Sequence, residues 1–587
     1  MAKKVVKKKK SRKKLTDQEK EKNSQMREIR NLISKIGFSR VPRIDGKEFV
    51  YDGRTSELDD IFYFENVVIL AEYTIAKSVG THLLKKKIIY DKINANIPAF
   101  FKFLFAEEKF KTLKETFDTS VLSKYSINQL QVRILYASKN SVEKEHKDQL
   151  PEKVKFFDYH IVKYFERIAK TIKKSTKHEF FDFLKIDYSK IGENIKSSSL
   201  GSSDEFLGHI LPEEHSSFKE GYKLVSFYID ADSLIRRAYV LRNDGWKNKE
   251  NIGLYQRMFV GTKIGSMRKY LHTEQRVFIN NVIVTLPIEK LKLLDNDDKE
   301  LEVDEEGNFL NSDNTKVQPA KIKIENEANI IGIIDGQHRA FAYHEGDDVY
   351  EKSISELRKI QNLLVTGILY PKNEKVEKRL KFEAKLFLEI NANQSGASSQ
   401  LKQQIEFMLN PFSTVSISKH IINKLNESGP LGTLFEEYWY EKSKIKTASI
   451  ISFGLKPLVK FEETDSLYKI WKNPDKEKLK SKDEDFDLLL EYKEFCVEEI
   501  RSIFKGLKRN IDNNNWKVDR TDKEAILNVT TINGIINCLR LLVQNDKTGN
   551  DEYYIEKFSK INEFPFKEYK SSQYRKMGQD IYDRYFN

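Results

Sequence analysis

Five carboxylates fall in one short stretch, "SELDDIFYFENVVILAEYT", where Glu57, Asp59 and Asp60 precede an apolar run, Glu65 interrupts it and Glu72 closes it. "IFYFENVVILAEYT" predicts two strands joined by a turn at Glu65-Asn66. Folding back antiparallel would bring the carboxylates at the start of the first strand to Glu72 at the end of the second. Paired carboxylates at a strand end suit Mg²⁺ and metal-assisted phosphodiester hydrolysis. Successive strand residues face opposite ways, so only one of Asp59 and Asp60 can share a metal with Glu72. Asp60 is taken as that partner, with Asp59 or Glu57 assisting. Thr74 cannot supply a cation, but the next segment offers His82, Lys85, Lys86 and Lys87. A lysine from Lys85–Lys87 is expected to complete a catalytic set of Asp60, Glu72, Lys85 and Lys87, with Asp59, Asp60 and Glu72 as metal ligands. The plain structural alternative is an acidic hairpin end packed on a basic helix.

A second constellation lies in "IIGIIDGQHRAFAYHEG", residues 330–346. "IIGII" is apolar on both faces, as in a covered strand. Asp335-Gly336 is a turn pair, and a helix is expected to start at Gln337. First-turn N–H groups, the Arg339 guanidinium and the polar side chains of Gln337 and His338 would then converge near the strand end. That equipment suits a phosphate, most simply of a nucleotide. Gln256-Arg257, at the expected start of a helix, could add a cation. Asn391 and Gln394 fall in a Gly/Ser-containing turn after a helix, where their amides could point into a cleft.

The pentapeptide Asp335-Gly336-Gln337-His338-Arg339 resembles the signature of the DGQHR-domain family, which includes DndB-like and DpdB-like proteins of DNA-modification systems. "YQR" (Tyr255–Arg257), "FINNVIVTLP" and "LFLEINANQSGASSQL", with Phe387, Ile390, Asn391 and Gln394, resemble further pieces of that family in its order. The resemblance spans roughly residues 220–420. It implies a fold of ParB/sulfiredoxin type, with Gln256, Arg257, Asp335–Arg339, Asn391 and Gln394 around a nucleoside triphosphate of unknown base. The carboxylate stretch is similar to the PD-(D/E)xK nucleases, departing from them in Glu72-Tyr73-Thr74, where Thr replaces Lys. Together these imply a DNA-acting protein of a bacterial DNA-modification or anti-phage defence system. It would couple nucleotide binding or hydrolysis to Mg²⁺-dependent DNA cleavage, and DNA and a modification enzyme would be its partners. The alternatives are a non-catalytic DNA-binding regulator and a nucleotide-dependent scaffold; self-association is left open.

The elements that must position these groups follow from periodicity. "QEKEKNSQMREIRNLISKIGF" is helical, "QVRILYAS" a third strand, and "DYHIVKYFERIAKTIKK" an amphipathic helix. The middle of the chain offers the strands "YKLVSFYI", "FINNVIVTLP", "KIKIE", "IIGIID" and "NLLVTGILY". An acidic hairpin excursion with a turn at Glu306-Gly307 interrupts them. Beyond about residue 400 the pattern is mostly helical. The fold class is therefore α/β multidomain. Its parts are a basic disordered tail (1–24), a restriction-endonuclease-like α/β domain (25–195), a Ser/Gly linker (196–219), a ParB/sulfiredoxin-like α+β domain (220–425) and a helical C-terminal region (426–587).

Of the +13 net charge, nine positive charges lie in residues 1–14, "MAKKVVKKKKSRKK", which leaves +4 on the rest. Such a run repels itself and suits a polyanion. Two cysteines cannot build a disulfide framework or a metal cage. His209 and His215 lack ligand spacing. No apolar run is long enough to span a bilayer, so a cytoplasmic location without membrane contact is expected.

Overall fold

A computed structural model of the chain describes residues 15–192, 203–211, 218–240, 242, 258–310, 315–392, 403, 405–407, 409–438, 440–481, 485–519, 521–522 and 524–587. It is mixed α/β with several sheets and a helical C-terminal region. Two compact units make up the chain: Met1–Asn248 with Met258–Lys375, and Lys249–Arg257 with Val376–Asn587. Among the described residues no helix is long and apolar enough to cross a membrane.

The first unit opens with α1 (Asp17–Lys35), whose Thr16 and Glu19 cap each other reciprocally. The tail assigned to 1–24 therefore overlaps a well-capped helix from Asp17 on. Then come β1 (Ser39–Arg40), the hairpin of β2 (Lys47–Tyr51) and β3 (Arg54–Leu58), β4 (Asp60–Phe64) and β5 (Val67–Thr74). The expected turn at Glu65-Asn66 joins β4 to β5. Glu65 takes a positive φ of 49° there, and the Asn66 amide bonds to the backbone of Gln129, Lys190 and Gly192. Helices α2 (Val79–Ala95), α3 (Ile97–Ala106) and α4 (Lys111–Ser120) cross over to β6 (Gln131–Ser138), which runs parallel to β5. After α5 (Lys144–Lys147), β7 (Val154–Phe156) completes a five-stranded sheet of order β1-β4-β5-β6-β7. Val68 and Leu70 of β5 pack with Leu83 and Phe100 of α2 and α3. Ile69, Ala71 and Tyr73 face Ile29 and Ile33 of α1 and Phe165 of α6 (Tyr159–Ile172), with α7 (Thr176–Phe183) beside them.

An eight-stranded mixed sheet follows, built from β8 (Ser203–Leu211), β9 (Lys223–Asp230), β10 (Ala238–Tyr239), β11 (Val282–Pro287), β12 (Leu291–Leu294), β13 (Gln318–Glu325), β14 (Ile331–Asp335) and β15 (Asn362–Tyr370). Its order is β10-β14-β11-β15-β9-β8-β13-β12. All five strands expected in the middle of the chain are present. The acidic excursion closes through Leu294–Glu300 and Val303–Phe309 bridges, with Gly307 at φ 89°.

The segment assigned as a linker, 196–219, instead holds β8 in its centre, between β9 and β13 in the sheet. Nor does the sequence boundary separate two cores. One cluster of buried side chains runs from Ile33, Ile69 and Phe165 to Phe227, Val284 and Ile331. Lys177 pairs with Glu345 at 2.7 Å, and Arg242 with Glu179 at 2.8 Å, between the same halves.

Among its described residues the second unit is mostly helical, with irregular stretches at 428–449 and 511–528, and it has its own core around Tyr492, Phe504, Ile535 and Leu539. It begins with the helix Val376–Ala392. Cys496 and Cys538 are buried free thiols that burial holds protonated.

Candidate active site at the β4–β5 hairpin

Register decides which carboxylates meet. β4 and β5 pair Phe64 with Val67 and Asp60 with Ala71, where the ladder ends; Asp59, just before β4, gives its N–H to the Ala71 carbonyl at 3.2 Å, and its negative charge acts on Glu72. Asp60 shares its face with Ala71 and Tyr73, while Glu72 points to the other face with Val68 and Leu70. The expected Asp60–Glu72 pair is thus corrected to Asp59–Glu72.

Asp60 is fully enclosed and its oxygens are already used. Arg30 Nε donates to Oδ2 at 2.6 Å, the Tyr73 hydroxyl donates to Oδ2 at 2.8 Å, and Arg40 Nε bonds Oδ1. This is a buried ion-pair hub that pins α1 and β1 to the hairpin, and it leaves no oxygen for a metal.

Glu72 is 4% exposed and differently placed. Its Oε1 meets Lys86 Nζ at 2.7 Å, and its buried Oε2 has no hydrogen-bond partner. Burial raises its pKa to about 7; Lys86 opposes that rise and the negative charge of Asp59 adds to it. Asp59, also buried, accepts the Tyr73 N–H at 2.7 Å on Oδ2 and faces Lys22 of α1 at 3.3 Å on Oδ1. Burial raises its pKa too, against the pull of Lys22.

The lysine that meets Glu72 comes from the expected helix and the expected Lys85–Lys87 run, but it is Lys86, not the Lys85 or Lys87 of the expected catalytic set. His82, Lys86 and Tyr90 lie one turn apart on α2 and so share one side of it. That stripe meets Glu72 and Tyr136, the parallel neighbour of Glu72 on β6. His82 Nδ1 lies 2.7 Å from the Tyr136 hydroxyl, and burial with the nearby Lys86, Lys22 and Lys85 charges keeps the ring neutral. Lys85 and Lys87 fall off the stripe: Lys85 is exposed and Lys87 pairs with Asp91 at 2.9 Å.

An orphaned, buried carboxylate oxygen on Glu72 with the charge of a second carboxylate acting on it fits a divalent cation. The protein would supply two acidic ligands and leave the remaining positions to water and phosphate oxygens. Among the described residues no group of three or more His, Cys, Asp or Glu side chains is gathered for a metal.

The 335–339 turn folds as expected up to its helix. Gly336 has φ 91°, and an added Cβ would meet Arg339 Nη2 at 3.0 Å and Val282 at 3.2 Å. The helix that follows is only Gln337–Phe341. Arg339 turns inward, its Nη2 at 2.8 Å from both Asp335 Oδ2 and the Asn281 carbonyl. Gln337 is buried. His338 Nε2 accepts the Val260 N–H at 3.1 Å, and burial lowers its pKa to about 4 with help from Lys263 and Arg242. The pentapeptide thus braces a strand–helix junction. Asn391 sits inside the helix Val376–Ala392 rather than in a turn after it. Gln256, Arg257 and Gln394 lie outside the described residues.

Comparison of the chain with protein-family models, curated proteins and solved structures gives no match.

Proposed function

We propose that the chain acts on DNA through a phosphodiester-cleaving centre of Asp59, Glu72 and Lys86. The observation that carries this reading is the buried Glu72, with one oxygen on Lys86, the other unpartnered, and the Asp59 charge acting on it. The order of a helix, three antiparallel strands, a helical crossover and a parallel strand supports a likeness to the PD-(D/E)xK nucleases. Lys86 then stands in for the cation that Thr74 cannot provide. Mg²⁺ would be held by Asp59 and Glu72; when bound it supplies Lewis acidity and an acidified water. Lys86 neutralises one carboxylate oxygen and orients Glu72, and the enclosing helix α2 limits water around the pair.

For the 335–339 turn the family resemblance carries the proposal of nucleotide binding. A phosphate arriving there would compete with Asp335 for Arg339. The engagement of Arg339 and the saturated Asp60 favour one second reading: a DNA-binding regulator in which both regions are structural.

Nicking of supercoiled plasmid in Mg²⁺, with and without ATP, CTP or GTP, tests the reading. Wild type should nick, and Asp59→Ala/Glu72→Ala should not. A wild type inert under every condition would leave the regulator reading in place.

A further inference from the structure

We infer that the exposed face of α1 is a docking surface for the phosphate backbone of DNA, with Arg27 and Asn31 at its crest. This rests on the DNA-acting reading and gives it a surface. The inner side of α1 is spent on the core through Met26, Ile29, Leu32 and Ile33. The outer side carries Lys20, Asn23, Arg27, Asn31 and Ser34, spaced three or four residues apart and therefore in one row. A cleft of about 620 Å³ follows this row and takes in Arg30 and Arg40; its lining holds four cations and no carboxylate. A second cleft of about 480 Å³, which also holds Glu28 and Glu166, shares Ser24, Arg27 and Asn31, so these three stand between the clefts.

The cations differ in availability. Lys20 pairs with Asp17 at 2.7 Å, and Arg30 with Asp45 at 3.1 Å and Asp60 at 2.6 Å. Arg27 is exposed and has no acidic partner among the described residues. Amides and hydroxyls interleaved with cations suit phosphate oxygens, which both kinds of donor contact without reading sequence. At 1.5 Å per residue the row from Lys20 to Ser34 is roughly 21 Å long, enough for several phosphates of one strand.

One further observation points to a polyanion. Leu15, which lines the first cleft, directly follows residues 1–14 with their nine Lys or Arg and no acid.

The test is fluorescence-anisotropy titration of a labelled DNA duplex with the full chain, in EDTA and at several salt concentrations. Arg27→Glu should weaken binding about tenfold or more and reduce the salt slope by about one. Arg27→Gln should fall between, and Arg27→Lys should bind like wild type. The control Lys102→Glu, an exposed charge reversal on α3, should bind within about twofold of wild type. Thermal unfolding checks that each variant is folded. Equal effects of Arg27→Glu and Lys102→Glu would overturn the surface while leaving the DNA-acting reading standing. A wild type that binds no duplex would remove both. An RNA duplex bound as tightly, with the same dependence on Arg27, would overturn the assignment to DNA.

Discussion

Glu72 and Asp60 are both buried acids on one hairpin, and their surroundings set them to opposite tasks. The Glu72 pKa is raised from 4.5 to about 7, so its folded form holds a proton that the unfolded chain has lost. The folded state therefore binds more protons across that interval, and stability should fall as pH rises from about 4.5 to 7, then level off. Glu72→Gln should flatten this fall in a pH series of thermal unfolding curves. A divalent cation favours the ionised carboxylate, so Mg²⁺ should raise the wild-type melting temperature most at and above pH 7 and leave Glu72→Gln unmoved. An Mg²⁺ shift of equal size in the variant would exclude Glu72 as a ligand. Asp60 should behave otherwise. Asp60→Ala strands Arg30 and Arg40, both still partly solvated, and should cost about 2–3 kcal/mol in chemical denaturation. It should leave any Mg²⁺ shift intact.

Elements explain which parts of this were legible in the sequence. A two-residue turn at Glu65-Asn66 pairs Phe64 with Val67 and, counting outwards, Asp60 with Ala71, which puts Asp60 on the face opposite to Glu72 and leaves Asp59 on the Glu72 face. The turn and both strands were readable, so the correct pair was within reach; choosing Asp60 ignored the register that the turn dictates. Lys86 could likewise have been preferred to Lys85 and Lys87 from its one-turn spacing to His82 and Tyr90. Strand β8 was hidden because Gly208 interrupts its alternation and a Ser/Gly run precedes it, so the residues read as a linker. Its burial depends on β9 and β13, which no local pattern reveals. The inward turn of Arg339 was equally beyond local pattern, since its second acceptor, the Asn281 carbonyl, comes from the approach to β11. That brace predicts that Arg339→Ala loosens the β11–β14 junction by about 1–3 kcal/mol, read as a lower denaturation midpoint without any ligand. Calorimetric titration of ATP, CTP and GTP separates the two roles. A variant that loses nucleotide binding while keeping stability would make Arg339 a ligand-binding cation; lost stability alone would leave it a brace.

At the scale of the whole molecule, charge is the property that sequence reports best, because it needs no fold. Domain limits are reported worst. The core shared by the two sheets gathers side chains far apart in the chain, such as Phe165 and Ile331. The two kinds of information combine at the N-terminus. Nine cations precede a helix whose outer row already suits phosphate, so tail and helix should act as one electrostatic surface with separable parts. Each phosphate neutralised steepens the dependence of log K on log salt by about 0.9 for duplex DNA. Deleting residues 1–14 should therefore flatten that slope by several units and weaken binding at low salt, equally for every duplex sequence tried. The loss should shrink as salt rises, because salt screens the attraction between the nine cations and the phosphates. In the truncated chain Arg27→Glu should still lower affinity, since Arg27 is carried by the helix and not by the tail. A truncation that leaves the slope unchanged would mean the tail does not reach DNA, and the helix row would then have to account for all of the salt dependence.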